Sequence, residues 1–179
     1  MNTNTHDQPA LREGGPGDLE WLELLYPAAF PEEDLLPLVR TMVRSGAEIL
    51  SLVGEVDGVA AGHGVFTLGR IDGTSREIAL LGPVAVDPGH QRSGIGGAII
   101  REGLNRLKPM GVEQVFVLGD PAYYGRFGFL PGAKIKPPYD LPLEWSDAWQ
   151  HLSLADADIA NEGRISLPEF WMRRELWGE

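Results

Sequence analysis

The spacing of apolar residues is helical in the first part of the chain. Residues 19–26 place apolar side chains on one helix face, Asp18 can cap this helix, and Pro27 is expected to stop it. A second helix is expected to begin within residues 31–37 and to end at Gly46. We therefore predict two short helices ahead of the sheet.

From residue 48 onward the pattern becomes that of β-strands. Residues 49–56 and 59–68 should form an antiparallel pair, because Asp57-Gly58 between them favours a two-residue hairpin turn. A third run, residues 76–86, contains Pro83, which cannot donate a hydrogen bond to a neighbouring strand. A bulge is therefore expected at Gly82-Pro83.

The order of elements then predicts one parallel pair. A helix over residues 95–108 and an apolar strand over 112–118 follow the third run, and a strand–helix–strand order implies a parallel crossover. Beyond it we expect a short helix over residues 121–127, a strand over 149–154 and a polar loop over 155–163. The fold class predicted is α/β, with a mixed, mostly antiparallel sheet flanked by helices.

Length and composition favour a single domain over residues 1–179, with a polar leader over residues 1–9. The 179 residues can bury a substantial core without metal or disulfides, and the chain contains no Cys. Thiol redox chemistry, thiolate metal sites and a cysteine nucleophile are thereby excluded. Without a signal-like start or an apolar run of about 18 residues, a cytoplasmic location is expected.

The net charge narrows the possible partners. With 15 Lys and Arg against 26 Asp and Glu, the formal charge is −11, which opposes broad contact with nucleic acid or an anionic membrane. We expect neither as a partner. Backbone N–H groups at one loop can still bind a phosphate-bearing molecule.

The stretch that carries such chemistry is residues 84–98, where a strand leads through a glycine-rich loop into a helix. Such a loop directs several N–H groups at one point, and the positive end of the helix dipole adds to their field. It predicts a site for an anion the size of pyrophosphate. The spacing matches neither a P-loop nor a dinucleotide-binding fingerprint.

These residues resemble the central motif of the GNAT superfamily, the acetyl-CoA-dependent N-acyltransferases. The motif is present as Val86-Asp87-Pro88 followed by Gln91-Arg92-Ser93-Gly94-Ile95-Gly96. A second motif, Tyr124-Gly125-Arg126-Phe127-Gly128-Phe129, resembles the superfamily's Tyr-x-x-x-Gly-Phe signature. The sequence of residues 118–124 is similar to that of one branch of the superfamily, the YhbS-like proteins. The resemblance is strongest over residues 48–130 and implies a GNAT-like sheet whose strands splay at the cofactor site.

Carried over to this chain, the resemblance implies acetyl-CoA as cosubstrate and assigns residues to it. The strand edge would pair with the pantetheine arm and the loop would surround the pyrophosphate. The strand residues are Val84, Ala85 and Val86, and the loop residues are Arg92, Ser93, Gly94, Ile95, Gly96 and Gly97. No metal is expected.

Tyr124 matches the family's catalytic Tyr, which can donate a proton to the departing CoA thiolate. A phenol with an unperturbed pKa of about 10 is protonated at neutral pH, as this role requires. The competing interpretation makes Tyr124 a packing residue beside Phe127 and Phe129. The neighbouring Tyr123 is expected to be structural.

The resemblance does not identify the general base. The fifth strand is wholly apolar and lacks the Glu that many family members use there. Glu77 acting through a water, His63 with an ordinary pKa of about 6.5, and Asp120 are the candidates. Each has a structural alternative: a solvated strand residue, a hydrogen-bonded sheet histidine and a helix cap. Bulk water could also take the proton.

The sequence leaves three functions open. An N-acetyltransferase acting directly on an amine is favoured over an acyl-CoA-binding sensor without turnover and over an interaction domain. The amine could belong to a small molecule or a protein, and a homodimer is a further possibility. The acidic residues 32–34 are expected to be a solvated helix start, and the C-terminal Trp residues core or dimer contacts.

Overall fold

The computed structural model describes residues 8–46, 48–156 and 162–178. Residues 1–7 of the expected leader and residues 157–161 of the expected polar loop lie outside these ranges. Within them, nine strands belong to one sheet, and four α-helices accompany short 3₁₀ turns.

The strands differ widely in length, from two residues to 13. In chain order they are β1 (Ala10–Glu13), β2 (Ile49–Val56), β3 (Val59–Ile71), β4 (Glu77–Val86), β5 (Gln114–Leu118), β6 (Leu130–Pro131), β7 (Ile135–Lys136), β8 (Trp149–Ser153) and β9 (Gly163–Ser166). The helices are α1 (Leu19–Ala29), α2 (Leu36–Arg44), α3 (Ile95–Leu107) and α4 (Pro121–Tyr124).

The main path of the sheet is β1-β2-β3-β4-β5-β8-β6, and β9 pairs with both β3 and β7. β4 and β5 are parallel, as the strand–helix–strand order predicted, and so are β7 and β9, while the other pairs are antiparallel. The Asp57-Gly58 turn has positive φ at both residues, as a type I′ hairpin requires.

β4 separates from β5 part-way along its length. Residues 78–81 of β4 pair with β5, and the ladder with β3 then shifts register between Gly64 and Phe66, opposite Gly82 and Pro83. The expected bulge is thereby confirmed. Beyond it, residues 84–86 pair with β3 alone, so the edge that faced β5 is left open.

Helix α3 lies unusually close to one face of the sheet because the strands beneath it carry glycines. A Cβ at Gly62 would lie 2.6 Å from Ile95, and one at Gly64 would lie 2.7 Å from Ile99. This close approach fixes the first turn of α3 beside the open end of β4. Helices α1 and α2 cover the opposite face, where Leu25 and Tyr26 pack against Val39 and Ala85.

One predicted helix end was wrong, and so was the placement of the acidic residues in a helix start. Helix α1 runs past Pro27 to Ala29, because a proline in the last turn removes only one helical hydrogen bond and the Phe30 N–H still donates to the Tyr26 carbonyl at 2.9 Å. Helix α2 begins at Leu36, inside the predicted range of residues 31–37, but the acidic residues 32–34 form the connection ahead of it rather than its first turn. Within the described residues, every helix is too short or too polar to cross a membrane.

Candidate active site

The loop between β4 and α3 leaves a cluster of backbone donors free. Arg92 and Gly94 have φ of 62° and 87°, which turns the chain sharply into the helix. The Ala98 N–H donates to Gly94 O at 2.9 Å, and in the described part of the chain none of the N–H groups of residues 92–97 donates a hydrogen bond. These groups sit at the positive end of α3 and can bind an anion.

The loop glycines have different neighbours. A Cβ at Gly94 would meet nothing within 4 Å, so a ligand can approach the backbone there. A Cβ at Gly96 would lie 2.8 Å from the Tyr123 hydroxyl, and one at Gly97 would lie 3.0 Å from Arg101. A Cβ at Gly96 or Gly97 would therefore crowd protein side chains, whereas Gly94 leaves room for a ligand.

The open edge of β4 offers further backbone groups. The Asp87 N–H donates to Ala61 O of β3 at 2.8 Å, and backbone direction alternates along a strand. The N–H and C=O groups of Val84 and Val86 therefore point away from β3, toward the open edge, whereas those of Ala85 point toward β3. Ala85 is also 1% exposed, so only the two valines of the predicted trio face this opening.

The loop and the open edge line one cavity of about 660 Å³, which we name the loop cavity. Three arginines line it, although the chain as a whole is acidic: Arg92, Arg101 and Arg126. Arg101 lies over the ring of Phe127 at 5.0 Å, and Arg126 lies over that of Tyr123 at 5.5 Å. Of the predicted loop residues, Ser93 is not among the lining groups, because its hydroxyl donates to the His90 carbonyl.

A second cavity of about 470 Å³, which we name the apolar cavity, is lined by residues 80–84 of β4 among others. Leucine and tryptophan side chains form much of its wall. Among its described lining residues, only Glu33 carries a charge. Glu33 is exposed to solvent, as expected for residues 32–34, and it also lines this cavity.

Tyr124 lies between the two cavities. It lines both, as do Phe30 and Val84. Asp120 caps α4 by accepting the Ala122 N–H at 2.9 Å, and this cap holds the turn that carries Tyr124. Burial, with a smaller contribution from Tyr123, raises the pKa of Tyr124 to about 12. In the part of the chain that the structure describes, its hydroxyl makes no hydrogen bond and remains available to a ligand.

The structure does not bring the three predicted general bases to Tyr124. Glu77 begins β4, nine residues from Val86 at the far end of the strand, and it lines neither cavity. Asp120 is an exposed helix cap. His63 is 0% exposed, so it cannot reach a ligand in either cavity.

The surroundings of His63 are those of a structural residue. Its Nδ1 lies 2.7 Å from the Tyr26 hydroxyl and its Nε2 lies 2.8 Å from the Ser51 hydroxyl, so both ring nitrogens are already hydrogen-bonded. Desolvation lowers its pKa to about 4. The neutral ring thus joins α1 to the sheet, which argues against a role as general base.

Several cavity residues were missed from the sequence. Arg101 follows the first motif by a few residues and Arg126 lies within the second, so basic residues near a predicted anion site were a usable signal for both. Glu33, Trp145 and Trp171 carry no comparable signal, because chain segments distant in sequence bring them together. Among the described residues, no group of three or more His, Asp or Glu side chains is placed to hold a metal ion.

The chain is similar in sequence to known acetyltransferases. The model of the acetyltransferase (GNAT) family matches residues 19–129. The chain is 39% identical over 126 residues to the uncharacterized N-acetyltransferase YjhQ of Escherichia coli strain K12, covering 68% of this chain and 70% of that protein. It is 30% identical over 145 residues to the uncharacterized N-acetyltransferase YhbS of the same strain, covering 79% and 84%.

Solved structures share the fold. The GNAT family N-acetyltransferase YhbS from Escherichia coli, in complex with CoA, matches with a TM-score of 0.83 and 28% identity over 97% of both chains. A GNAT family acetyltransferase from Brucella melitensis, in complex with acetyl-CoA, matches with a TM-score of 0.72 and 30% identity, covering 91% of this chain and 97% of that one. The predicted fold class and the family resemblance are thereby confirmed.

Proposed function

The chain belongs to the GNAT acetyltransferase family, and from that premise we propose that it transfers the acetyl group of acetyl-CoA directly to an amine. The observation that carries the proposal is the position of Tyr124, which lines both the loop cavity and the apolar cavity. An acetyl donor and an amine that entered from opposite sides would meet beside its hydroxyl.

The loop cavity suits the phosphates of acetyl-CoA. Free N–H groups at the start of α3 and three arginines supply hydrogen bonds and positive charge. The open edge at Val84 and Val86 can pair with the amides of the pantetheine arm as an added strand would. Two similar proteins were crystallised with CoA or acetyl-CoA, which supports the same assignment here.

Acetyl-CoA supplies an activated thioester, and the residues of this chain orient it and stabilise the charge that develops. In this proposal a backbone N–H near Val86 donates to the thioester oxygen as it gains charge, and the Tyr124 hydroxyl donates to the departing sulfur. No covalent enzyme intermediate is needed.

The pKa of Tyr124 defines how it acts. A thiol has a pKa of about 8.5, well below the value of about 12 for Tyr124. Complete transfer of the Tyr124 proton to a free thiolate is therefore uphill, whereas hydrogen-bond donation to the sulfur as the bond breaks is favourable. Tyr124 keeps its proton throughout: solvent protonates the released thiolate, and the proton lost by the amine leaves to water through the open apolar cavity.

The test compares Tyr124→Phe with the matched variant Tyr123→Phe. Tyr124→Phe keeps the ring but removes the donor, so turnover of acetyl-CoA with an amine should fall by about a hundredfold or more while CoA affinity changes little. Tyr123→Phe should be milder. Wild-type turnover in Tyr124→Phe would refute the role. Tight CoA binding without thiol release with any amine would favour the sensor function instead.

A further inference from the structure

We propose that the amine acceptor is an arylalkylamine, a primary amine carried on an aromatic body; this inference rests on the proposed function. The apolar cavity is its binding site. At about 470 Å³ it is of a size that takes small molecules. Three indoles, Trp145, Trp171 and Trp177, contribute to its wall together with leucines.

The indole rings of the wall offer a polar molecule no free hydrogen-bond donor at Trp171 or Trp177. The Trp171 indole N–H donates to Thr67 Oγ1 at 3.0 Å, and the Trp177 indole N–H donates to the Trp171 carbonyl at 2.8 Å. These two rings therefore present carbon surface, with their donors already used inside the protein. A ligand that buried hydroxyl groups against these rings would lose hydrogen bonds to water without replacement.

The charged residue in the described lining of the cavity, Glu33, lies three residues from Phe30, which lines both cavities. The Glu33 N–H donates to the Phe30 carbonyl at 3.2 Å, which holds Glu33 within one turn of a residue that lines both cavities. A carboxylate at this position attracts an ammonium group. Because Glu33 is exposed, solvent screens this attraction, and its effect on affinity should be modest.

Carbon walls with one anionic group discriminate among amines. An amino sugar would bury unpaired hydroxyl groups, and a polyamine would bring a second ammonium into a cavity whose described lining has one carboxylate. An aromatic body would instead bury its ring against the indoles. Such burial favours an arylalkylamine over an amino sugar by about thirtyfold or more in kcat/KM, the scale of burying one aromatic side chain.

The first experiment measures acetyl-CoA-dependent thiol release with 2-phenylethylamine, hexylamine, spermidine and glucosamine. The expected order places 2-phenylethylamine first and glucosamine last. A best substrate among spermidine and glucosamine would overturn the inference while leaving the proposed acetyl transfer intact.

The second experiment uses variants with matched neighbours. Trp145, 39% exposed, can be truncated without opening the core, so Trp145→Ala should raise the KM for 2-phenylethylamine about tenfold. Leu143→Ala, at a 90% exposed position of the same 3₁₀ turn outside the cavity, should leave that KM unchanged. Glu33→Gln should raise the KM several-fold with little change in kcat, and Glu32→Gln should not. Equal KM values within both pairs would overturn the inference.

Binding separates this inference from the proposed function. Calorimetry of 2-phenylethylamine with wild type in the presence of CoA should show binding that Trp145→Ala weakens, whether or not turnover occurs. Binding without thiol release would refute the acetyl transfer and retain the site. Thiol release with other amines but no binding of 2-phenylethylamine would refute the site and retain the transfer.

Discussion

A methyl group at Gly119 should disable the enzyme by moving Tyr124. A Cβ added at Gly119 would lie 3.1 Å from Cδ2 of the Tyr124 ring, and closer still to Cε2. Carbon atoms pack at about 3.5–4.0 Å, so the ring must move by on the order of 1 Å. The φ of Gly119 lies outside the left-handed region, so Gly119→Ala brings no backbone strain of that kind.

The size of the effect follows from this displacement. A misplacement of about 1 Å at a reacting group can cost a hundredfold in rate. We therefore expect kcat of Gly119→Ala to fall about a hundredfold, while calorimetry shows CoA affinity close to wild type. Overpacking of this kind costs about 1–3 kcal/mol, so Tm should fall by only about 3–10 °C and the protein should remain folded.

Gly125, six residues after Gly119, provides the control variant. Gly125 has helical φ and ψ and nothing within 4 Å of an added Cβ, so Gly125→Ala should retain wild-type kcat. The double variant Gly119→Ala/Tyr124→Phe tests whether the loss of activity arises through Tyr124. If Gly119→Ala acts by misplacing the Tyr124 hydroxyl, it should cost little further activity once that hydroxyl is gone. Wild-type kcat in Gly119→Ala, or a full additional loss in the double variant, would refute this reasoning.

Three further predictions concern charge and packing. Because burial lowers the pKa of His63 to about 4, unfolding takes up a proton between about pH 4 and 6.5, and the free energy of unfolding should fall by up to about 3 kcal/mol as pH drops through that window. Denaturation curves of His63→Gln should show a flatter pH profile, and an unchanged slope would contradict this account. Gly103→Ala puts a Cβ into the ring of Phe66, so Tm should fall by several degrees, and a wild-type Tm would contradict the packing. Arg101→Gln should weaken CoA binding about tenfold in calorimetry, whereas Arg106→Gln on the same helix, outside the loop cavity, should not; equal effects would remove Arg101 from the site.

The strands were predicted more accurately than the helix ends. The hairpin at Asp57-Gly58 and the bulge at Pro83 depend on local rules, namely positive φ and a missing N–H, and the structure has both. The end of α1 did not follow from the local rule that proline stops a helix. Pro27 at this position costs the helix only one hydrogen bond, and the helix continues for two residues.

The residues that line the loop cavity could largely be foreseen from the sequence, and those that line the apolar cavity could not. The loop around Gly94 and the turn bearing Tyr124 are contiguous motifs, so the sequence places their residues side by side. The apolar cavity is assembled from the α1–α2 connection, the strands and the C-terminal 3₁₀ turns, and no spacing in the chain relates Glu33 to Trp145. Glu77 and His63 are candidate bases only because their side chains can accept a proton. Neither the burial of His63 nor the position of Glu77 at the far end of β4 can be read from the sequence.

The two cavities also resolve the apparent conflict between an acidic chain and the anionic cosubstrate that we propose for it. Net charge acts at long range, where salt screens it within about 10 Å, whereas the ligand responds to groups at contact. Three arginines line the loop cavity and one carboxylate lines the apolar cavity, with Tyr124 between them. Opposite charges are thus separated across the proposed reaction site, so that a polyanion and a cationic amine are each attracted to a different side of Tyr124. The remaining acidic residues can then disfavour nucleic acid and anionic surfaces without weakening the site itself.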